Sequence, residues 1–246
     1  MRTRFAPTPS GFLHVGNCVN ALLTSWWAAD YGQVLLRIDD ADSTRYRREF
    51  ADDIFQTLEW LDVRIDLGPQ SLMELEDAWS QSHRKARYRA ALQPILDCDR
   101  AFACACSRTS TQCPCVSQAQ AWVPPENALR LRTSDGRAGP VLWRRDDIPA
   151  YHLTSVVDDH DFLITHVMRG EDLRESTRIQ RHLAALMELT FPGDVRHHPL
   201  VTDQEHRKLS KSTGLMGPLE KSAEVRDRIV QAATRMATLV DVRPSA

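Results

Sequence analysis

The stretch RFAPTPSGFLHVGN, residues 4–17, leaves the backbone few paths to follow. Thr3 to Ala6 alternates polar and apolar side chains, as a short strand does. Pro7, Pro9 and Gly11 then halt regular structure, because proline fixes φ and removes a donor. Beyond Gly16, Val19, Leu22, Leu23, Trp26 and Trp27 recur at helical spacing. A tight turn feeding a helix N-terminus gathers unpaired N–H groups and the positive end of the helix dipole at one spot, which suits an anion. His14 and Asn17 stand there as side-chain donors. Taken alone, the stretch is equally well a Pro-rich N-terminal turn and nothing more.

Gly32 reads as the C-cap of that helix, and Gln33 to Ile38 as a buried strand. Asp39, Asp40 and Asp42 follow at the strand's carboxyl end, where open α/β sheets bind ligands. The same acids equally fit a helix N-cap and first turn, with Asp42 or Ser43 as the cap. Phe50, Ile54, Phe55, Leu58 and Leu61 give the next helix one apolar face. Strand, helix, strand, helix at this spacing predicts an α/β fold with a doubly wound parallel, Rossmann-like sheet. Residues 63–82 read as turn-rich, His83 to Asp97 as a helix and Ala101 to Ala105 as a short strand. Past residue 150, Ala150 to Asp158 fits helix or irregular chain, and Leu163 to Met168 a buried strand with Arg169 directly after it. An arginine buried beside a pocket is costly without an anion, and its planar fork suits a carboxylate. Ser176 to Leu189 and residues 219–240 read as amphipathic helices, the second with Val225, Ile229, Ala232 and Leu239 on its inner side.

Between these halves lie Cys104, Cys106, Cys113 and Cys115, two close pairs separated by six residues. Four thiolates in two pairs close a tetrahedral structural zinc site, and in a reducing compartment that reading outweighs free or disulfide-bonded thiols. Cys98 is either a substitute ligand or a core residue at a helix end. Ser107 to Asn127 reads as loop, followed by two strands, Ala128 to Thr133 and Val141 to Arg145, around an Asp135-Gly136 turn. This segment carries Arg130, Arg132, Arg137, Arg144 and Arg145, which suit either phosphate contacts or an ordinary solvated face.

Far downstream stands KLSKS, residues 208–212, a polar loop with Lys208 and Lys211 flanking a serine. Such a pair holds a triphosphate and the charge developing on it, or else is a solvated basic loop. Together the two stretches resemble the paired signatures of class I aminoacyl-tRNA synthetases. The chain is most similar to the glutamyl branch through RFAPTPSG (4–11), LRIDDAD (36–42), YHLTSVVDDH (151–160) and THVMRGED (165–172). The resemblance implies adenylation: an amino-acid carboxylate attacks the α-phosphate of ATP, brought with Mg²⁺, and pyrophosphate leaves. It implies ATP contacts from Pro9, Ser10, His14, Gly16, Asn17 and Lys211, with His14, Lys208 and Lys211 as the catalytic set. It implies glutamate contacts from Arg4, Ala6, Thr8, Asp39, Tyr151, Ser155 and Arg169. Arg169 would read the side-chain carboxylate, and Asp39 would hold the α-ammonium. The arginine-bearing insert would grip tRNA.

Three departures bear on that assignment. Asn17 replaces a histidine, Asp39 stands where Glu is usual and Ser155 where Asn is often found. A fourth is length, since only 34 residues follow Ser212, too few for an anticodon-binding domain. In this the chain resembles the truncated glutamyl-queuosine tRNA(Asp) synthetases. The expected layout is residues 1–100 and 150–217 as the halves of the catalytic domain, 101–149 as a small zinc-bearing α+β insert and 218–246 as a C-terminal helix. With 31 basic against 33 acidic residues, no global field marks a nucleic-acid binder. No apolar run approaches bilayer length and no signal-peptide pattern opens the chain. The expectation is a cytoplasmic monomer whose partners are glutamate, ATP and tRNA(Asp), with no DNA and no membrane. Two other readings stay open: a ligase passing the adenylate to a non-tRNA acceptor, and a non-catalytic paralogue.

Overall fold

The computed structural model describes residues 1–29, 32–106, 113–201 and 217–244. In chain order the elements are β1 (Arg2–Phe5), α1 (Val15–Trp27), β2 (Gln33–Leu36), α2 (Arg48–Trp60) and α3 (Leu72–Glu74), which runs into a π turn at Leu75–Trp79. A 3₁₀ turn at Gln81–Arg84 leads into α4 (Lys85–Ala91), α5 (Gln93–Asp97), β3 (Ala101–Cys104), β4 (Ala128–Arg132) and β5 (Ala138–Trp143). Then come α6 (Tyr151–Asp161), β6 (His166–Gly170), α7 (Arg174–Leu186), β7 (Asp194–His198) and α8 (Ala223–Leu239). The chain divides into two compact units. The first holds residues 1–80, 162–175 and 192–246, and the second holds residues 81–161 and 176–191.

The first unit is a parallel sheet. β1 pairs with β2 from Arg2↔Gln33 to Phe5↔Leu36, and β6 with β7 from His166↔Asp194 to Gly170↔His198. The outer edge of β2 meets Leu67. Thr165 N–H donates to the Arg2 carbonyl at 2.9 Å, laying β6 alongside β1. The strands therefore run in the order Leu67 segment, β2, β1, β6, β7, and α1 makes the crossover from β1 to β2. Val19, Leu22 and Leu23 of α1 are buried with Ile54 and Leu58 of α2, Met168 of β6 and Ile229, Ala233 and Ala237 of α8. Each fully buried Leu or Ile in this core contributes about 1.5–3 kcal/mol.

The second unit is an antiparallel sheet, β3-β4-β5, with helices on it. Its core gathers Tyr88, Leu92, Leu129, Leu142, Trp143, Leu153, Val157 and Leu183. A fully buried carboxylate, Asp158 of α6, is satisfied inside this unit by Gln81 at 2.8 Å, Arg84 at 2.8 Å and the Tyr88 hydroxyl at 2.9 Å. A buried charge survives only when paired and hydrogen-bonded in this way. The expected insert, residues 101–149, lies within this unit, which also takes in residues 81–100 and 150–161.

Several expected boundaries shift for local reasons. α1 ends at Trp27 with Ala28 as its cap, so Gly32 is not the cap residue; its N–H donates back to the Ala28 carbonyl. α2 starts at Arg48 with Arg47 as an N-cap that makes no side-chain bond, so neither Asp42 nor Ser43 caps it. The helix expected over His83 to Asp97 is broken at Leu92, two residues before Pro94, whose ring cannot enter a helix interior. The stretch 63–82, read as turn, contains α3 and the π turn. β6 begins at His166, because Leu163 adopts φ 57° where the chain leaves α6. α8 buries Ile229, Ala233 and Ala237 and packs Val225 and Ala232 against the same core, but leaves Leu239 exposed, so of the expected inner residues only Leu239 faces outward. Cys98 is exposed, so it is neither core nor part of the cysteine group.

Candidate active site

The turn after β1 delivers His14 to the N-cap of α1, with φ −111° and ψ 168°. Its Nδ1 accepts the Asn17 N–H at 3.3 Å, and the Asn17 side-chain oxygen accepts the His14 N–H at 3.1 Å. This is a capping box built from His and Asn instead of Ser and Glu. An acceptor Nδ1 puts the ring proton on Nε2, so His14 presents an N–H from the far side of the ring. Asn17 spends its oxygen on the cap and keeps its NH₂ as a donor. A Cβ on Gly16 would lie 3.0 Å from His14 Cε1 and 3.1 Å from Nδ1, so the bare glycine is what lets the imidazole fold back over the first turn. Pro9 is buried and Ser10 half-buried in the same turn, where the Ser10 Oγ accepts from Arg45 at 3.3 Å.

The strand ends converge beside it. Arg37 N–H donates to the Phe5 carbonyl and Asp39 N–H to the Pro7 carbonyl, both at 2.9 Å, which sets Asp39 against the Ala6–Thr8 segment. Thr8 is exposed and Ala6 half-buried, while Arg4 is buried. The Asp39 carboxylate is buried and gripped by Arg37, whose Nε lies 2.7 Å from Oδ1 and NH2 3.4 Å from Oδ2. Arg169 is buried in β6, one residue from the strand's end. Carrying the Thr165–Arg2 step four residues along both strands sets Arg169 level with Ala6. His197 faces it across the ladder, and burial together with the Arg174 and Arg169 charges holds that imidazole below its ordinary range. The carboxyl edge of this sheet is thus electropositive at Arg169 and carries a fixed carboxylate at Asp39.

Two site elements had no warning in the sequence reading. His198, buried at the end of β7, donates from Nδ1 to the Pro199 carbonyl at 2.8 Å and accepts the Asn20 amide at Nε2, 3.1 Å away. Burial holds its pKa down, so the ring stays neutral and ties β7 to α1. Asp53 of α2 accepts the Leu13 N–H at 3.1 Å, one residue before the cap. Neither has a motif, although Asp53 and Thr57 four residues on share the buried side of α2.

In the second unit, Tyr151 and Ser155 lie on the first two turns of α6, the former exposed and the latter buried. There the four cysteines converge, their sulfur atoms all within 4.8 Å of one another. Cys104–Cys113, Cys106–Cys115 and Cys106–Cys113 are 3.5, 3.6 and 3.7 Å apart. A tetrahedral thiolate site with ~2.3 Å metal–sulfur bonds has edges of about 3.8 Å, whereas a disulfide needs about 2.05 Å. The donor set therefore fits zinc and not cystine. Burial and the neighbouring thiols push Cys113 up to about 12, and the Ala105 N–H draws Cys115 down. The arginines expected to contact phosphate are bonded to the protein's own groups. Arg130 donates to the Gly139 carbonyl at 2.8 Å, Arg132 to Val116, and Arg145 to Ala105 and Cys106, while Arg137 and Arg144 pair with Asp135 and Asp146. Arg130, Arg144 and Arg145 also line a cavity of about 330 Å³ beside Cys104 and Cys106. Lys208 and Lys211 lie outside the described residues.

A parallel sheet whose carboxyl edge meets a capped helix N-terminus is where α/β folds take phosphate-bearing ligands. The family model of class I tRNA synthetases (E and Q), catalytic domain, matches residues 1–112 and 133–241. The chain belongs to that family, and the family is one of ligases. It is 40% identical to the glutamyl-Q tRNA(Asp) synthetase of Synechococcus sp. (strain CC9605), over 88% of this chain and 75% of the relative. It is 30% identical to the glutamate–tRNA ligase of Legionella pneumophila (strain Lens), over 89% of this chain but only 52% of that ligase, about half its length. Among solved structures it resembles the glutamate-tRNA synthetase of Elizabethkingia anophelis, with a TM-score of 0.72 at 24% identity over 86% of this chain and 52% of that one. That likeness concerns the fold.

A Gly16→Ala substitution tests the cap. Added helix propensity gains up to about 1 kcal/mol, and the broken cap costs about 1 kcal/mol, so net stability moves little. The His14 ring, however, loses its Nδ1 acceptor role. Nitrogen NMR of the imidazole in wild type and variant is expected to show Nδ1 changing environment; an unchanged ring contradicts the geometry described.

Proposed function

We propose that the chain activates glutamate with ATP and passes the glutamyl group to the queuosine base of tRNA(Asp). The observation that carries this reading is the 40% identity to a glutamyl-Q tRNA(Asp) synthetase along three-quarters of its length. The glutamate carboxylate attacks the α-phosphorus of ATP, the bond to the β-phosphate oxygen breaks, and pyrophosphate leaves. A nucleophile of the acceptor then attacks the activated carbonyl and AMP departs.

No protein nucleophile enters this scheme, so the residues act by positioning and by charge. In this reading the His14 ring, the Asn17 side-chain amide and the positive end of α1 hold phosphate oxygens. Pro9, Ser10 and Gly16 shape the turn, and Lys208 and Lys211 neutralise the charge moving onto pyrophosphate. Mg²⁺ accompanies the ATP and shields its phosphates. Arg169 pairs with the glutamate side chain, and a neutral glutamine would forgo that charge-assisted bond. Asp39, oriented by Arg37, takes the α-ammonium. Its side chain is one methylene shorter than Glu, and its N–H bond to the Pro7 carbonyl draws its strand end toward Ala6–Thr8. Arg4, Ala6 and Thr8 complete the wall on the first unit; Tyr151 and Ser155 of α6 are read as glutamate contacts on the family resemblance alone. The arginine-lined cavity beside the cysteines supports contact with an RNA phosphate backbone.

The cysteine group is a structural zinc site in this reading, holding β3 to the 3₁₀ turn at Pro114–Ser117, a segment with little apolar surface of its own. Purified protein is expected to carry about one zinc per chain by elemental analysis. Cys113→Ser should lose the metal and lower the unfolding temperature, and a wild-type protein free of metal, equally stable in chelator, refutes the assignment.

Transfer is tested with labelled glutamate, ATP and tRNA(Asp) prepared with and without queuosine. Label on the queuosine-containing tRNA alone is expected, and Lys211→Ala should abolish it. Label on both tRNAs would instead favour attachment at the acceptor end. Label on neither, with adenylate still formed, would favour a non-tRNA acceptor.

A further inference from the structure

No residue of α2 takes part in the proposed chemistry above, yet Asp53 of this helix reaches the turn that opens α1. We propose that Asp53 is a positioning residue for that turn, with Lys221 as its charge partner, and that the pair sets ATP affinity. This inference rests on the adenylation reading for its purpose, but not for its geometry.

Helix α2 places four acids in its sequence, and most behave as surface acids do; Asp52, for one, is exposed and bonds Gln56. Asp53 is different. Its side chain is 5% exposed, and its two oxygens serve different masters. Oδ2 accepts the Leu13 N–H at 3.1 Å, and Oδ1 accepts the Lys221 ammonium at 2.8 Å. A buried carboxylate is expensive, and retaining one here requires both partners. The Leu13 N–H has no helix or strand carbonyl to donate to, since residues 12–14 belong to no regular element. Phe12 is braced at the same place, its ring meeting Phe50 of α2 edge-on at 4.9 Å. Fixing the Leu13 peptide fixes where His14 begins α1, and therefore where the cap and its Nε2–H point.

Lys221 reaches Asp53 from just ahead of α8. It immediately precedes Ser222, the N-cap whose hydroxyl accepts the Val225 N–H at 3.4 Å. One carboxylate thus anchors the turn that opens α1 and the chain that opens α8. Its field is felt nearby: burial, and then Asp53, push the adjoining Cys18 thiol up to about 12, so that thiol stays neutral and adds no charge of its own. A pair serving stability alone would need no bond to the turn. A side chain that merely capped a donor would need no lysine.

The test measures equilibrium Mg²⁺-ATP binding, ATP–pyrophosphate exchange kinetics and thermal unfolding on the full-length protein. The variants are Asp53→Asn, Lys221→Met, the double variant and Lys221→Arg. Asp53→Asn keeps the shape and an acceptor but removes the charge, and half-buried Lys221→Met is the milder change should Asp53→Asn fold poorly. Asp53→Asn and Lys221→Met are each expected to weaken ATP binding about tenfold with the glutamate KM nearly unchanged. The double variant should cost much less than the sum, as for residues acting as a unit, and Lys221→Arg should restore most of the affinity. A lower unfolding temperature with unaltered ATP affinity would overturn the inference and leave the pair a structural ion pair. Wild-type protein that binds ATP but exchanges with no amino acid would defeat the adenylation reading while the binding series still decides this one. Wild-type protein that binds no ATP would overturn both.

Discussion

The reciprocal cap between His14 and Asn17 is the constraint on which the first unit's site depends. It fixes three things at once: where α1 begins, which ring nitrogen of His14 carries the proton, and which way the amide of Asn17 faces. A helix start is a weak anion site when its first turn frays and a strong one when its N–H groups are held parallel. Here the cap, the missing Cβ at Gly16 and the Asp53 bond to Leu13 all hold the same few peptides. Asn17 serves the cap at that position by accepting the His14 N–H.

Charge is handled by the same rule across the chain, in that buried ions come with partners. Asp39 has Arg37, Asp53 has Lys221, and Asp158 has Arg84, Gln81 and Tyr88. In the proposed reading the Arg37–Asp39 pair bears on how the α-ammonium is held, not on which side chain is chosen. Its geometry orients the Asp39 oxygens before any ammonium arrives, which lowers the ordering cost of binding. In the second unit Arg132 and Arg145 brace the backbone carbonyls of Val116, Ala105 and Cys106 beside the cysteines, which sit in a small apolar cluster with Phe102.

Much of this was legible in the residues. The parallel sheet, the helix after Gly16, the placement of Arg169 at a strand's carboxyl end and the convergence of Cys104, Cys106, Cys113 and Cys115 all follow from period, turn chemistry and spacing. What escaped has physical reasons. The inner stripe of α8 rests on Ala233 and Ala237, whose small side chains give little hydrophobic signal. Pro94 outweighed an apolar spacing that reads as one continuous helix. The bonding of Arg130, Arg132 and Arg145 to backbone carbonyls leaves no trace in composition, since a bonded and a solvated arginine look alike in sequence. Asp53 reads as one more acid on an acidic helix, and only its burial, with two donors from remote segments, sets it apart.

The account stands or falls on what the electropositive carboxyl edge and the capped turn accept together. The most direct measurement is ATP–pyrophosphate exchange, run with each amino acid in turn and without any tRNA. The account predicts exchange with glutamate, little with glutamine or aspartate, and no need for RNA. Exchange only when tRNA is present, or with a different amino acid in place of glutamate, would contradict it.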